Sequence, residues 1–282
     1  MSCVNMSAVL PQAKEHGYAV GAFNILDYAS MRAVVEAAEE LKAPVIIQIS
    51  VKTIKLWGYE PIRAWYRQLG ESASVPVVLH LDHCKDLEVL RRCVESGWTS
   101  VMIDASAKPF EENLELSGRA VQIAAPAGVS VEAELGEIGG VEDEEGVETA
   151  RLADPDKAIL FCSKLQLDLL APAIGTAHGQ YRGEPHVDFQ RLDEIARGTN
   201  LPLALHGGTG LPDEVFRRAI SLGCAKVNIS TSLKHVFIDS FETYRSEHPG
   251  EYEPIKLIDH QNHALKNNVA GFIRLFGGSD RV

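Results

Sequence analysis

Three histidines follow three separate apolar runs, and together they could bind one metal ion. His83 comes directly after the run Val75–Asp82, His178 lies just past Leu169–Thr176, and His206 is near the end of Leu201–Gly207. A catalytic zinc is usually bound by three protein side chains, with an open position for water or substrate. A lone histidine in such a position is more often a hydrogen-bonded core residue, but three of them favour a metal site.

Carboxylates accompany these histidines. Asp82 directly precedes His83, and Asp104, Glu132 and Glu134 are available for a second ion position or for hydrogen bonds to the metal ligands. Successive strand residues point to opposite faces, so Asp82 and His83 can face one pocket only if the strand ends between them. We therefore expect the third strand to break at Asp82.

Two glycine- and hydroxyl-rich turns are candidates for binding phosphate. His206-Gly-Gly-Thr-Gly210 ends the seventh run, and Asn228-Ile-Ser-Thr-Ser232 ends the eighth. Backbone amides in such turns can bind an anion without needing net positive charge, and barrel enzymes bind phosphate at this position. His178-Gly-Gln-Tyr-Arg182 is a candidate third side of the same cradle.

The elements that must position these residues repeat along the chain. Eight short apolar runs alternate with segments of helical periodicity, in units of roughly 25 to 40 residues, as in a parallel eight-stranded barrel. Gly97, Gly198 and Gly223 are predicted to end helices, and Asp154-Pro155 to begin one. We therefore predict an α/β fold, a (β/α)8 TIM barrel formed as one domain over residues 1–282, with Leu233–Glu247 closing it and Ile255–Phe276 as an extra C-terminal helix. The eight runs are Tyr18–Ile25, Pro44–Ser50, Val75–Asp82, Ser100–Ser106, Val129–Gly136, Leu169–Thr176, Leu201–Gly207 and Ala225–Thr231.

Alternation along these strands predicts a polar ring inside the barrel. One face of each strand is apolar and is expected to be covered by helices, while the other carries polar side chains toward the strands' carboxyl ends. Burying so many polar groups without partners would cost several kcal/mol, so they must satisfy one another, a metal or a ligand. The predicted inward residues are Asn24, Gln48, Ser50, His80, Asp82, Asp104, Glu132, Glu134, His206, Asn228 and Ser230.

The predicted strands offer no lysine suited to an imine mechanism. Within the eight runs lysine occurs once, as Lys226. It lies at the start of the eighth run and therefore at the rim away from the site, which argues against such a mechanism.

One loop leaves alternatives open. The glycine-rich, acidic stretch Gly136–Ala153 is either a solvated loop or a mobile lid over the site.

Composition limits the partners. The formal charge of −12 disfavours nucleic acid and anionic membrane surfaces. The five cysteines are scattered and form no CxxC pair, which is typical of reduced thiols in the cytoplasm. We see no export signal and no apolar run near the ~20 residues that span a bilayer.

Taken together and in order, the motifs resemble those of the class II, zinc-dependent ketose-bisphosphate aldolases, the group that contains fructose- and tagatose-bisphosphate aldolases. The resemblance extends from about Asn5 to the C-terminus. Its markers are Gly21-Ala-Phe-Asn24, His80-Leu-Asp-His83, Met102-Ile-Asp-Ala-Ser106, Val131-Glu-Ala-Glu-Leu-Gly136, Gly175-Thr-Ala-His-Gly179, His206-Gly-Gly-Thr-Gly210 and Asn228-Ile-Ser-Thr231.

The resemblance implies a metal centre and a phosphorylated substrate. His83, His178 and His206 correspond to the ligands of the catalytic Zn²⁺, and Glu134 and Asp104 to carboxylates that bind the ion in a more buried position. It further implies a monovalent cation, Na⁺ or K⁺, beside the substrate phosphate, and assembly into a homodimer or homotetramer with the extra helix as a contact.

It also implies two proton-transfer residues. Asp82 corresponds to the acid/base that takes the proton from the C4 hydroxyl of a ketose phosphate, and Glu142 to the residue that exchanges a proton at the enediolate carbon of dihydroxyacetone phosphate. The implied substrate and phosphate contacts are Asn24, Ser50, Gly179, Arg182, Gly207, Gly208, Thr209, Asn228, Ser230 and Thr231.

The sequence departs from the family at the residues that choose the substrate. Ser230 stands where fructose-bisphosphate enzymes commonly carry aspartate, and Arg182 where many carry lysine. The aldehyde product is therefore open: glyceraldehyde 3-phosphate, sulfolactaldehyde or malonate semialdehyde. Candidates for binding the distal end of the substrate are Lys266, Arg274 and Arg281, or the two lysines of Val51-Lys-Thr-Ile-Lys-Leu-Trp57.

Two other classes of function would require different residues. A metal-dependent hydrolase on the same fold would usually carry a His-x-His pair on the first strand, where this chain has Phe23-Asn24. A non-catalytic accessory subunit that only binds a sugar phosphate would be favoured by loss of Asp82 or of a metal histidine, and all four residues are present.

Overall fold

Eight parallel strands close into a barrel in the computed structural model, which describes residues 2–142, 145–147, 150–179 and 185–282. The strands are β1 (Val20–Asn24), β2 (Val45–Ser50), β3 (Val77–Cys84), β4 (Ser100–Ile103), β5 (Ser130–Leu135), β6 (Gly139–Glu142), β7 (Glu145–Val147), β8 (Leu169–Pro172), β9 (Ala177–His178), β10 (Leu203–Leu205) and β11 (Cys224–Ile229). The barrel order is β1-β11-β10-β8-β5-β4-β3-β2, so the predicted TIM barrel is confirmed, and β6, β7 and β9 form a separate small sheet.

Helices surround the barrel, and the two C-terminal ones are where the periodicity predicted them. Asp154 caps its helix by accepting a hydrogen bond from the Lys157 amide, with Pro155 in the first turn, as expected. Gly198 does not end its helix as predicted, because the left-handed residue after the last turn is Asn200. The helices are α1 (Leu10–His16), α2 (Tyr28–Glu40), α3 (Val51–Trp57), α4 (Tyr59–Ser72), α5 (Leu87–Glu95), α6 (Phe110–Ala124), α7 (Pro155–Lys164), α8 (Phe189–Thr199), α9 (Asp213–Ser221), α10 (Thr231–Glu247) and α11 (Pro254–Leu275), with short 3-10 turns at Met6–Ala8 and Ala125–Ala127. Among the described residues no helix combines the length and apolar character needed to cross a membrane.

The core has two layers. The outward strand residues, such as Val101, Val131 and Leu205, pack against the surrounding helices as predicted. A second apolar cluster fills the amino-terminal half of the barrel interior, where Met6 and Leu10 pack among inward strand residues. The N-terminal segment therefore plugs the barrel at the end away from the polar ring.

Strand β3 does not break at Asp82 as the sequence suggested. Its pairing with β4 shifts register after Leu81 and resumes at Cys84, so the irregularity is a β-bulge inside the strand. His83 has φ of 44°, in the left-handed region that few non-glycine residues adopt. The bulge turns the His83 side chain into the pocket beside Asp82. The two residues therefore face one pocket, as predicted, although the strand does not end between them.

The stretch Gly136–Ala153 contains a β-hairpin over the carboxyl rim. β6 pairs antiparallel with β7 and parallel with β9, so that Gly140 lies opposite His178. Gly140 has φ of 96°, and a Cβ there would lie 2.2 Å from the carbonyl oxygen of His178. Only glycine allows this approach, and the hairpin is thereby held against the strand that carries one of the predicted metal ligands.

Candidate active site

The bulge on β3, the short strand β9 and the end of β10 bring three imidazoles together. The ring centroid of His83 lies 4.9 Å from that of His178 and 4.7 Å from that of His206. One nitrogen from each of the three rings lies within 4.8 Å of the others. Residues 83, 178 and 206 are thus gathered at one rim, as the sequence predicted.

The surrounding carboxylates determine which imidazole nitrogens face one another. Glu132 Oε1 lies 2.7 Å from His206 Nε2, and Asp104 Oδ2 lies 3.1 Å from His83 Nδ1. The opposite nitrogens, His206 Nδ1 and His83 Nε2, are 2.9 Å apart. A carboxylate on the far nitrogen fixes the tautomer of a metal-binding histidine, so this geometry fits a metal ion.

A second group of possible ligands shares His83 with the first. His83, Asp104 and Glu134 also offer ligand atoms within 4.8 Å of one another. Glu134 Oε2 is buried without a hydrogen-bond partner in the described part of the chain, 3.7 Å from His83 Nδ1. Imidazoles with carboxylates form a donor set suited to a divalent metal such as zinc.

The two carboxyl groups of this second group differ in their affinity for a proton. Burial and the neighbouring Asp104 carboxylate raise the pKa of Glu134 well above its usual range. Burial opposes ionisation of Asp104 too, but hydrogen bonds from His83 and Ser106 outweigh it and lower the pKa of Asp104. Asp104 is therefore ionised, while Glu134 is a group whose ionised form a nearby cation would stabilise.

Asp82 lies in the polar ring, 2% exposed, and two amides hold its carboxylate. Asn24 Nδ2 donates to Oδ2 at 2.8 Å, and Asn228 Nδ2 donates to Oδ1 at 3.3 Å. Asn24 is held in turn by Gln48 Nε2 at 2.9 Å. The carboxylate is thus fixed in orientation directly next to His83 in the chain.

A pocket beside the imidazoles gathers most of the predicted phosphate contacts. Its wall includes the first turn of α10 and the glycine turn after β10, and Gly207 has φ of 69°, with a Cβ position 2.5 Å from the carbonyl oxygen of Ala177. Lys234 also lines the pocket and was missed by the sequence analysis. A signal for it existed, because it follows Thr231 by three residues and shares its face of the helix. The predicted residues that line the pocket are Asn24, His178, Gly179, Gly207, Gly208, Thr209, Asn228, Ser230 and Thr231.

Of the other predicted substrate and proton-transfer residues, one caps a helix and two fall outside what the structure describes. The Ser50 hydroxyl accepts a hydrogen bond from the Thr53 amide and so caps α3, although Ser50 lies in register with Asp82 on the next strand. Arg182 falls outside the described residues. Glu142 ends β6, and its side chain also lies outside what the structure describes.

The position predicted for Lys226 is wrong. It does not lie at the far rim but in the interior of the barrel, where its side chain is fully buried. Its Nζ is 2.7 Å from Asn228 Oδ1 and 2.9 Å from Glu132 Oε2. Burial opposes ionisation of Glu132, but Lys226 and the adjacent histidines lower its pKa well below the usual range. Lys226 is therefore part of the polar ring.

The chain is similar to known proteins over its whole length. The sequence profile described as "Fructose-bisphosphate aldolase class-II" matches residues 4–281. The chain is 41% identical to a probable fructose-bisphosphate aldolase of Bacillus subtilis, with 100% of both chains covered. It is 36% identical to a sulfofructosephosphate aldolase of Alkalicoccus urumqiensis, covering 100% of this chain and 99% of that one.

A solved aldolase structure has the same fold. The crystal structure of the YdjI aldolase from Escherichia coli K12 superposes with a TM-score of 0.87 at 30% identity, covering 99% of each chain. The profile match and the relatives that align over the whole length show the family. The chain therefore belongs to the class-II fructose-bisphosphate aldolase family and is an aldolase, a lyase of carbon–carbon bonds.

Proposed function

We propose that this aldolase reversibly cleaves a ketose 1-phosphate or 1,6-bisphosphate to dihydroxyacetone phosphate and an aldehyde such as glyceraldehyde 3-phosphate. The observation that carries the proposal is the arrangement of Asp82, whose carboxylate is held by two amides next to a three-imidazole cluster. A base, a metal site and an anion pocket on one rim are what a retro-aldol reaction on a phosphorylated ketose requires.

Asp82 acts as the base in the cleavage direction. It takes the proton of the C4 hydroxyl while the bond between C3 and C4 breaks, and it returns that proton in the addition direction. Its two amide partners leave the carboxylate few orientations, which keeps it aimed at one hydroxyl. Glu142 is proposed to exchange the proton at the dihydroxyacetone phosphate carbon, from the hairpin above the rim.

His83, His178 and His206 would hold a Zn²⁺ ion, with Asp104 and Glu134 available for a deeper position. When bound, zinc supplies positive charge that stabilises the negative charge developing on the ketone and hydroxyl oxygens of the substrate. The monovalent cation beside the phosphate stays a prediction.

The phosphate of the dihydroxyacetone half binds in the pocket after β10 and β11. Gly207 and Gly208 line it beside the amino-terminal end of α10, where backbone amides point outward. Lys234 adds a positive charge one turn into the same helix. The pocket therefore needs no excess of cations elsewhere in this acidic protein.

The distal end of the substrate binds toward α3 rather than toward the C-terminus. Lys266 Nζ is paired with Glu40 at 2.9 Å, Arg274 lies 4.0 Å from the same carboxylate, and Arg281 stacks on Tyr18. Helix α2 ends at Glu40, so this cluster lies near the amino-terminal end of the barrel. Helix α3 begins at the carboxyl end of β2 instead, and it carries the exposed residues Lys52 and Lys55.

The test compares substrates that differ at that distal end. Zinc-loaded protein is incubated with fructose 1,6-bisphosphate, tagatose 1,6-bisphosphate and 6-deoxy-6-sulfofructose 1-phosphate, and dihydroxyacetone phosphate is followed with a coupled dehydrogenase. The deoxy-ketogluconate phosphate that would give malonate semialdehyde is the fourth substrate. We expect one to exceed the others in kcat/KM, and Lys52→Ala or Lys55→Ala to raise its KM. Absence of product from all four, with zinc confirmed bound, would refute the proposal.

We also propose that the chain forms a homodimer or homotetramer through its C-terminal helices. Large apolar side chains are exposed on α10, on α11 and between them, which favours a protein contact there. Light scattering should give a mass at least twice 30.8 kDa, and Phe241→Glu should lower it. The exposed apolar residues are Ile238, Phe241, Tyr252, Ile255 and Ile258.

We further propose that the protein works in a reducing, cytoplasmic setting, which the five free cysteines support.

A further inference from the structure

Lys226 connects the metal side and the base side of the polar ring by direct side-chain contacts. Its ammonium is fully buried and contacts two groups that lead in different directions, Glu132 Oε2 at 2.9 Å and Asn228 Oδ1 at 2.7 Å. The ammonium donates a hydrogen bond to Asn228 Oδ1 and forms an ion pair with Glu132 Oε2, and in both contacts an oxygen of the partner must face the positive charge. That requirement fixes how each partner is oriented toward its next neighbour.

The first branch leads to the metal site. With Oε2 turned toward Lys226, the other oxygen of Glu132 lies 2.7 Å from His206 Nε2. An ionised carboxylate can only accept there, so His206 carries its proton on Nε2 and leaves Nδ1 bare. Nδ1 is the nitrogen that faces His83 Nε2 at 2.9 Å, in the group of atoms that could hold the metal.

The second branch leads to Asp82. With Oδ1 of Asn228 turned toward Lys226, its amide Nδ2 must point the opposite way, and it donates to Asp82 Oδ1 at 3.3 Å. If the amide were flipped, its oxygen would face the carboxylate and its NH₂ group would face the ammonium. Lys226 therefore determines that Asn228 donates to Asp82.

Fold stability is a poor explanation for this arrangement. Taking an ammonium and a carboxylate out of water costs several kcal/mol for each ion, and apolar side chains of similar volume often replace such pairs without loss of stability. The Lys226–Glu132 pair is 0% exposed on both sides and is met by two histidines, since His80 Nε2 also lies 3.3 Å from Glu132 Oε2. The pair instead imposes direction on the groups around it.

We propose that Lys226 is a positioning residue for the aldol reaction, which orients the metal ligand His206 through Glu132 and the base Asp82 through Asn228. This rests on the proposed roles of His206 and Asp82. Because its ammonium is fully buried against Glu132 and Asn228, we assign Lys226 a role through these two partners and not in direct contact with the substrate.

The test uses Lys226→Met, which keeps the length of the side chain and removes the ammonium. Zinc affinity is measured by competition with a chromogenic chelator, and we expect a loss of about 10- to 100-fold, as for other partners of metal ligands. Cobalt-substituted protein should show a changed visible absorption band. At saturating zinc, kcat should stay about 10- to 100-fold below that of the unchanged protein, because a small misorientation of the base has an effect of this size.

Lys266→Met is the matched control, since that lysine forms an ion pair of the same 2.9 Å length on the surface, and it should leave zinc affinity and kcat unchanged. His206→Ala is measured in the same series. If it binds zinc normally, the proposed metal site is wrong; if it loses zinc while Lys226→Met binds zinc and turns over normally, only the role of Lys226 is wrong.

A loss of folding in Lys226→Met would not prevent the test. The variant Lys226→Met/Glu132→Met removes both buried charges and should be as stable to heat as the unchanged protein while still binding zinc weakly. Normal zinc affinity in this stable variant would overturn the proposal. Nitrogen-15 NMR of the metal-free, unchanged protein should show His206 protonated on Nε2, and protonation on Nδ1 would overturn it as well.

Discussion

The two halves of the barrel interior differ in chemistry although the same strands build both. On β3, Val78 points into the apolar half, while His80 and Asp82 point into the polar half; on β2, Ile46 is followed in the same way by Gln48. The change occurs within two residues, about 7 Å along a strand. Below it, apolar contacts are not directional, whereas above it nearly every contact joins a donor to an acceptor.

This difference separates stability from function along the barrel axis. The apolar half, closed by the N-terminal plug, consists of buried hydrophobic side chains, so their substitution should change unfolding and leave chemistry intact. The polar half buries groups that favour their water-exposed state, so its substitutions should change chemistry more than unfolding.

The sharpest test of the polar half is Asp82→Ala. Proton transfer by a positioned side chain contributes about 10²- to 10⁴-fold, so kcat should fall by that factor. Zinc content, measured by atomic absorption, should stay at the level of the unchanged protein. Turnover near normal would show that Asp82 is not the base, and a loss of zinc would show that the two functions are not separable.

The corresponding test of the apolar half is Leu10→Ala in the plug. Leu10 is fully buried, and removing such a side chain costs about 2–5 kcal/mol of the free energy of unfolding. Denaturant titration should show this loss, while zinc affinity and kcat at low temperature stay unchanged. Leu56→Ala is the control, since Leu56 is 72% exposed and its removal should change stability by less than about 0.5 kcal/mol.

Removal of the metal should destabilise the protein through the polar half. A ligand at 100 times its Kd stabilises the folded state by about 2.7 kcal/mol, which corresponds to about 5–10 °C in Tm for a chain of this size. Calorimetry before and after chelation should show this shift. In His206→Ala the shift should largely disappear, and an undiminished shift there would mean that the metal binds elsewhere.

The smallest expected effect lies outside both halves. Asp154→Ala removes the side chain that caps α7 and should cost about 1 kcal/mol of the free energy of unfolding, with no change in kcat. Glu115→Ala, at an exposed position inside α6, should cost less. A change in kcat for Asp154→Ala would contradict the separation of chemistry from the outer layer.

The sequence predicted the barrel because eight short apolar runs alternate with segments of helical periodicity, and it predicted the residues of the rim because histidines and carboxylates interrupt the apolar runs. It did not predict the bulge at His83, because a non-glycine residue with positive φ has no signature in residue types. Lys226 was assigned to the far rim because its position along a strand does not reveal where a long side chain ends. Lys234 was missed because an isolated lysine on a helix is usually solvated.

The bulge at His83 also bears on attempts to transplant this site to another barrel. Copying three histidines onto regular strands would direct His83 outward, because alternation gives Asp82 and His83 opposite faces. A recipient strand must therefore accept an extra residue in the left-handed conformation, at a cost of about 1–3 kcal/mol that the host would have to tolerate. To transplant the site, it would therefore be better to vary the backbone of the recipient strand first and its side chains afterwards.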